Sequence, residues 1–228
     1  MDITTIIPAY NEEKNVGEIV NGAKKHSNKV IVIVAKKSSD RTADIARDFG
    51  AEVIYDNGRG IGDAIKCGIN HTSDDDIVVK MDCDCSHDFN DIPKLVKPIL
   101  DGEADLVIGS RRKGGSDELS GKISHAFRGI ATDLIVLAVN IRWNQQFTDI
   151  ENGFRAARAK TLKDINLKTN DFDLDQETVM KMLKRGYRIK EVAAHEYPRK
   201  HGQSTMNLFR VGWKFVWSYM KYAFLGFK

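Results

Sequence analysis

The strict alternation of short apolar runs with amphipathic segments over the first 110 residues is what most limits the fold. The runs are ITTIIP (3–8), KVIVIV (29–34), AEVIY (51–55), DIVVKM (76–81) and ADLVIGS (104–110), and the amphipathic segments span about 12–25, 40–49, 60–70 and 90–101. Runs that are apolar throughout predict strands covered on both faces, and strand–helix alternation predicts βαβ units in a mostly parallel sheet. Ligands of such sheets sit beyond the carboxyl ends of the strands. The polar clusters AYNEE, KKSSDRT, DNGRGIG, DCDCSHD and SRRKGG fall at those ends. The expected class is therefore α/β, a mostly parallel central sheet flanked by helices with its chemistry along one edge.

After residue 110 the rhythm changes. The loop RRKGGSDELSGK leads into an apolar helix from about 122 to 141, followed by FTDIENGFRAAR, a helix near 174–185, a strand YRIKEVAA and the loop YPRKHGQST. This half completes the same domain, expected to run over 1–205, with no clean boundary at 110. Residues 206–228 form a tail with four basic residues, eight aromatics and no acid. Arg210, Lys214 and Lys221, with Ser218 between, fall on one helical stripe, while Phe209, Trp213, Val216, Trp217, Met220 and Phe224 take the rest. Basic residues with Trp and Phe on a moderately apolar helix suit a membrane headgroup interface. The competing reading is a terminal helix packed on its own domain, on a membrane-protein partner or on a second copy.

Composition narrows the class of partner. A net charge of +3 is too small to argue for nucleic acid. Three cysteines, odd in number and unevenly spaced, predict a reducing compartment. No signal peptide precedes the first strand, and the apolar run LIVLAVNI falls far short of the ~20 residues that cross a bilayer. The chain is expected to be cytoplasmic, peripheral on the cytoplasmic face of a membrane.

The stretch IVVKMDCDCSHD (77–88) carries the first chemical question. If the strand continued, Asp82 and Asp84 would project to one side and Cys83 to the other. Two carboxylates at a strand's carboxyl end suit a hard divalent cation that also grips a pyrophosphate. The alternative is a solvated turn in which Asp84 or Ser86 caps the next helix. A thiol site fares worse, because CDCSH offers at most three crowded ligands and no second cluster exists elsewhere. Upstream, IIPAYNEEKNVGEIV reads as a strand, a turn and a helix start, with Asn11 placed to cap and Glu12 and Glu13 in the first turn.

With VIGSRR, TDIENGFRA and RKHGQS, these motifs occur in an order that resembles family 2 glycosyltransferases with a GT-A fold. The resemblance is closest to the dolichyl-phosphate mannose synthase and polyprenyl-phosphate sugar synthase branch, and runs from Thr5 to about Thr205. It implies a nucleotide-sugar half (1–110), an acceptor half (111–205) and a Mg²⁺ or Mn²⁺ cofactor. By the same resemblance, Pro8, Ala9, Tyr10 and Glu12 line the nucleotide pocket, Asp40 lies near the base and ribose, and Arg59 and Gly60 begin a loop beside the nucleotide. That loop also reads as a glycine-rich helix entry. Asp82 and Asp84 hold the metal, with Ser86 at the third position and Cys83 between the carboxylates. Arg111, Arg128 and Arg199 meet the phosphate of a lipid acceptor, Asp149 sits near sugar or acceptor, and Ser204 belongs to the later substrate loop. A planar guanidinium matches phosphate oxygens bidentately, which is the physical warrant for the arginines.

The chain departs from the family at AKKSSD, where Ala35, Lys36 and Lys37 replace the first three residues of an Asp-Asp-Gly-Ser-x-Asp motif. Thr205 stands where a lysine is usual, and Ser86 where Gln is frequent. The first departure leaves the nucleotide open between GDP and UDP. The implied reaction is inverting, metal-dependent transfer of a sugar, mannose from GDP-mannose first and glucose or N-acetylglucosamine from a UDP-sugar second, to dolichyl or polyprenyl phosphate. No general base is required, since a phosphate monoester with a second pKa of ~6 is already largely dianionic. Readings from other classes are a nucleotidyltransferase, which PAYNEE does not favour because it lacks a glycine-rich loop, and a catalytically silent membrane-associated subunit.

Overall fold

The four leading strands form as expected. In the computed structural model, which describes residues 1–117, 123–202 and 208–224, with side chains over 1–117, 132–202 and 213–224, β1 (Ile3–Ala9) pairs in parallel with β2 (Lys29–Val34) and β4 (Ile77–Lys80). β2 pairs in parallel with β3 (Glu52–Tyr55). The crossovers carry α1 (Val16–Ala23), α2 (Thr42–Asp48) and α3 (Ile61–Asn70), and α4 (Ile92–Leu100) leads into β5 (Leu106–Ser110). Neighbouring strand residues feed opposite cores. Ile7, Val32 and Val79 pack with Ile19 of α1 and Leu95 of α4, while Ile6, Ile31 and Val78 pack with Ile65 of α3. Burial on both faces explains why these runs lack polar alternation.

The second half adds α5 (Arg111–Gly114), α6 (Ile123–Trp143), β6 (Arg155–Arg158), α7 (Ala159–Asp164), α8 (Leu174–Lys184), β7 (Ile189–Ala193) and α9 (Leu208–Phe224). The sheet order is β3-β2-β1-β4-β6-β5-β7. β6 inserts antiparallel between β4 and β5, and β7 lies parallel to β5. Sequence reasoning had no strand there, because Arg-Ala-Ala-Arg has neither β-branched nor aromatic residues. Its slot is narrow: Ala156 faces one core and Ala157 the other. Arg155 is buried, donating to the carbonyls of Ile150, Asn152 and Asp175. The pairing of Lys80 with Arg155 brings Gly153 and Phe154 beside the residues that follow β4.

α9 docks on the domain through its polar stripe. Ser218 and Tyr222 are buried, Lys214 pairs with Asp171 before α8, and the Tyr219 hydroxyl donates to the Ala138 carbonyl of α6 at 3.3 Å. The apolar stripe faces outward, with Trp213 62% and Trp217 58% exposed. The alternative in which both tryptophans are domain core is thereby excluded. Lys214, expected to meet headgroups, instead holds the helix to the domain. Arg210's side chain lies outside the described residues. No helix among the described residues is long and apolar enough to cross a membrane.

Candidate active site

β1 ends on a turn in which Asn11 adopts a left-handed conformation (φ 53°), its side-chain oxygen accepting from Ser38 Oγ and Ser39 N–H at 3.0 and 2.9 Å. Asn11 therefore ties β1's exit to β2's exit and does not cap α1, which starts later, at Val16. Glu12 and Glu13 consequently precede the helix. Pro8 and Ala9 lie at the end of β1, and Tyr10 is partly exposed with the Lys37 ammonium 4.7 Å over its ring. Asp40 accepts from Glu13 N–H at 3.0 Å and from Thr42 N–H at 3.1 Å. Burial raises its pKa, but the hydrogen bond from the Thr42 hydroxyl and these two backbone bonds outweigh that and hold the carboxyl below its usual range. Asp40 thus braces the entry to α2.

The RGIG segment is a helix entry. Arg59 is exposed, Gly60 has φ 124°, and α3 follows at Ile61. A Cβ on Gly62 would come within 2.7 Å of the Asn170 backbone, whose carbonyl accepts from Gly62 N–H at 3.0 Å. The second glycine thus permits a close approach by the acceptor half.

Ladder pairing of β4 stops at Lys80, so a turn and not strand alternation arranges the aspartates. Cys83 is buried in the core, as expected, and burial pushes its thiol well above the ordinary value. Cys85 (φ 63°) is pushed up to about 11, chiefly by burial and then by Glu18. Cys83 faces the core, and among the described residues the two thiols and His87 are not grouped as a metal site. Ser86 is buried, its hydroxyl donating to Asp84 Oδ1 at 2.6 Å and its N–H at 3.0 Å. The following 3₁₀ turn, Phe89–Asp91, is capped by Asp88, whose side chain accepts from Asn90 N–H. Neither Asp84 nor Ser86 caps it.

Three elements converge on the two carboxylates. Arg199 Nη2 lies 2.7 Å from Asp84 Oδ2, and Nη1 lies 3.7 Å from Glu12 Oε1. Burial raises the Glu12 pKa, although its hydrogen bond from Asn15 and the Arg199 charge oppose this. His87 Nε2 lies 3.3 Å from Asp82 Oδ2. Burial alone would push the Asp82 carboxyl up, but the His87 hydrogen bond and the Lys80 charge hold it well below the carboxylate range. The segment after β7 straps over this turn: Tyr197 N–H donates to the Ser86 carbonyl and Lys200 N–H to the Asp84 carbonyl.

Arg111 stands apart from these carboxylates. Its Nε and Nη2 donate to Asp149 at 2.6 and 3.0 Å, and Nη1 lies 3.3 Å from Glu196, which also accepts from Ser116. Asp149 is buried, and its N–H donates to Glu191 at 2.7 Å. Burial opposes Asp149 ionisation, yet Arg111 lowers its pKa below the usual range. The expected phosphate ligand is thus engaged in a buried ion pair, and Arg199 rests on Asp84. Arg128's side chain and Ser204 lie outside the described residues. His87, Gly153 and Glu196 were not singled out by role from the sequence. His87 lies inside the motif, where the sequence pattern offers it only as a partner to the two cysteines.

Carboxylate oxygens are the donor class that Mg²⁺ and Mn²⁺ favour. The guanidinium on Asp84 shows that this turn accommodates positive charge beside it. Among the described residues no group of three or more His, Cys, Asp or Glu is arranged to hold a metal ion alone. Asp82 and Asp84 offer that donor class at the exit of β4, with the Ser86 hydroxyl hydrogen-bonded to Asp84.

Residues 4–166 match the model of glycosyl transferase family 2. The chain belongs to that family. This glycosyltransferase is 30% identical over 217 residues to a dolichyl-phosphate hexose transferase of Haloferax volcanii, covering 92% of this chain and 89% of that one. It is 27% identical to the low-salt glycan biosynthesis hexosyltransferase Agl6 of the same organism, covering 94% of this chain and spanning about half (52%) of that relative's length. Among solved structures, glucosyl-3-phosphoglycerate synthase from Mycobacterium tuberculosis, in complex with Mg²⁺ and UDP, superposes with a TM-score of 0.76 at 20% identity. That match covers 99% of this chain and 80% of the other, and supports the GT-A architecture expected from the sequence.

Proposed function

We propose that this glycosyltransferase moves a hexose from a nucleoside-diphosphate sugar onto the phosphate of a polyprenyl or dolichyl lipid. The observation that carries the reading is Arg199 seated on Asp84, beside Glu12, where the carboxyl edge of the parallel sheet meets the acceptor half. Cationic and anionic groups are there together, as a site that handles two phosphate-bearing substrates requires. The similarity to a dolichyl-phosphate hexose transferase supports the acceptor class.

Asp82 and Asp84, with Ser86 beside them, would hold the cation. When bound, Mg²⁺ or Mn²⁺ offsets the charge that develops on the departing diphosphate. The acceptor phosphate oxygen forms a bond to the anomeric carbon as that carbon's bond to the donor diphosphate oxygen breaks, the electron pair leaving with the diphosphate. The dianion needs no proton removed, so the protein's task is orientation and charge balance. Arg199 moves from Asp84 to the acceptor phosphate, and Arg128 assists it. Arg111 holds Asp149 in place beside the sugar and acceptor. Displacement in one step inverts the anomeric centre.

Mannose from GDP-mannose is the donor implied by the resemblance. A UDP-sugar is favoured instead by the exit of β2, where Ala35 and Lys36 stand in place of the motif's two carboxylates. Asp56, which accepts from the Lys36 and Gly58 N–H groups, is already engaged there. With the motif's two carboxylates absent, fewer acceptors remain for a base's N–H groups, and guanine presents more such groups than uracil.

The lipid acceptor places the enzyme at a membrane surface, and the outward stripe of α9 supports that. Leu134, Leu137 and Ile141 of α6, also exposed, lie at helical spacing on the helix that α9 packs against. On this reading the protein is a peripheral enzyme, and its sparse, unevenly spaced cysteines favour the cytoplasmic face. Incubation with polyprenyl phosphate, Mn²⁺ and a panel of GDP- and UDP-sugars, with mass identification of the lipid, tests the whole reading. A lipid-phosphate hexose is expected from one nucleotide class. Donor consumption with no lipid product would reject the acceptor.

A further inference from the structure

We propose that His87, together with the Gly153–Phe154 step at the entry to β6, is the positioning unit that seats the Asp82 carboxylate for the divalent cation. The inference rests on the reading of Asp82 and Asp84 as the cation's ligands.

Asp82 lies past the end of the β4 ladder, where the last strand-to-strand hydrogen bond runs from Met81 N–H to the Ile6 carbonyl. Its side chain is 34% exposed, so the strand itself does not determine its rotamer. Two contacts do. The first is His87, with Nε2 3.3 Å from Oδ2. The second is Gly153, where an added Cβ would come within 2.6 Å of the same oxygen and 3.1 Å of Oδ1. Only the absence of a side chain at 153 leaves the carboxylate its place.

The imidazole is itself held. Its side chain is 2% exposed, and the ring stacks on Phe154 with centroids 5.0 Å apart and planes 13° from parallel. Phe154 follows Gly153 directly, so one backbone step supplies both the wall beside Asp82 and the plate behind His87. The antiparallel register of β6 delivers that step to the exit of β4. A bridge between His87 and Glu196 anchors the histidine backbone to the strap.

The two ring nitrogens differ in what they gain. Nε2 faces Asp82, whereas Nδ1 is buried with no hydrogen-bond partner among the described residues. An orphaned buried polar atom is unfavourable for stability, and a phenyl ring would stack on Phe154 without it. The imidazole thus has one productive polar contact, and it is to Asp82. A hydrogen-bonded outer partner orients a metal-ligating carboxylate and raises metal affinity, typically by about 10–100-fold.

The test measures Mn²⁺ binding by electron paramagnetic resonance, with Mn²⁺ alone and with UDP or GDP, beside a melting curve for each protein. His87→Phe is expected to melt at or above the wild-type midpoint while binding Mn²⁺ ~10-fold or more weakly. His87→Gln, whose amide can donate to Asp82, should stay within a few-fold of wild type. Gly153→Ala should weaken Mn²⁺ binding with His87 still present. Wild-type affinity in a folded His87→Phe protein overturns the proposal, as does a His87→Gln protein as weak as His87→Phe. If His87→Phe does not melt cooperatively, Gly153→Ala decides: undiminished affinity there overturns the proposal. A wild-type protein that binds no Mn²⁺ in any arm overturns the cation reading along with it, whereas a binding wild type with unchanged variants overturns this proposal alone.

Discussion

Arg199 places Nη2 2.7 Å from Oδ2 of Asp84, so a guanidinium from the acceptor half rests on a carboxylate of the nucleotide half. The same strap contributes Lys200 N–H to the Asp84 carbonyl, which fixes the approach. On the proposed reading, a divalent cation at Asp84 would compete with the guanidinium for one negative charge, and loading the site would free Arg199 for another anion.

That competition has a measurable sign. Arg199→Ala should bind Mn²⁺ alone more tightly than wild type, because the resident cation is gone. Transfer to polyprenyl phosphate should fall by about tenfold or more, as expected for loss of one charge-assisted contact. Calorimetry of Mn²⁺ binding and initial rates over a range of acceptor concentrations check the two halves; weaker Mn²⁺ binding would falsify the competition.

Asp84→Asn should abolish sugar transfer and leave the melting midpoint within a few degrees, since the amide oxygen can still accept from Ser86 and the Arg199 side chain remains partly solvated. Cys85→Ser should keep Mn²⁺-dependent activity, because Mn²⁺ favours carboxylate oxygen over thiol sulfur. Metal content after dialysis distinguishes them. Loss of Mn²⁺ from the cysteine variant with retention in Asp84→Asn would restore the thiol reading.

Acid should weaken the fold through Asp149 and Glu177. Both carboxyls are held below their usual ranges despite burial, Asp149 by Arg111 and Glu177 by Lys181 and the N–H groups of Thr169 and Lys168. A carboxylate with a depressed folded-state pKa contributes stability that is complete above its unfolded value, about 4, and is lost as pH falls through the folded value. Urea midpoints should therefore hold from pH 7 to about 5 and decline below 4. Asp149→Asn leaves Arg111 half-paired and buried, which should cost about 3–5 kcal/mol at pH 7 and flatten the acid decline. A variant with an unaltered pH slope would show that Asp149 is not the titrating group.

The tail separates binding from folding. Trp213→Ser with Trp217→Ser should release the protein from anionic liposomes while barely moving its melting temperature, since both rings face outward. Tyr222→Ala, by contrast, removes a fully buried ring and should cost about 3 kcal/mol or more. Liposome sedimentation and melting curves on the two proteins read the difference. A double tryptophan variant that stays on liposomes would move the membrane contact elsewhere.

The five leading strands, their order along the chain and the edge that carries the chemistry were legible in the sequence. The reason is local: residues buried on two faces must be apolar without interruption, and polar residues gather where strands stop. The motifs at those stops also disclosed the glycosyltransferase family. β6 was illegible, because Arg-Ala-Ala-Arg is a strand only where β4 and β5 leave a gap narrow enough for alanine and Arg155 finds three carbonyls. Partner choice was equally out of reach. The one-dimensional pattern marks Arg111 and Arg199 as cations near a sheet edge. Only the packed structure assigns the first to Asp149 and the second to Asp84, since both pairs join residues far apart in sequence. The direction of α9 follows the same logic: its periodicity defines two stripes, and Asp171 and the α8 surface decided which one turned inward.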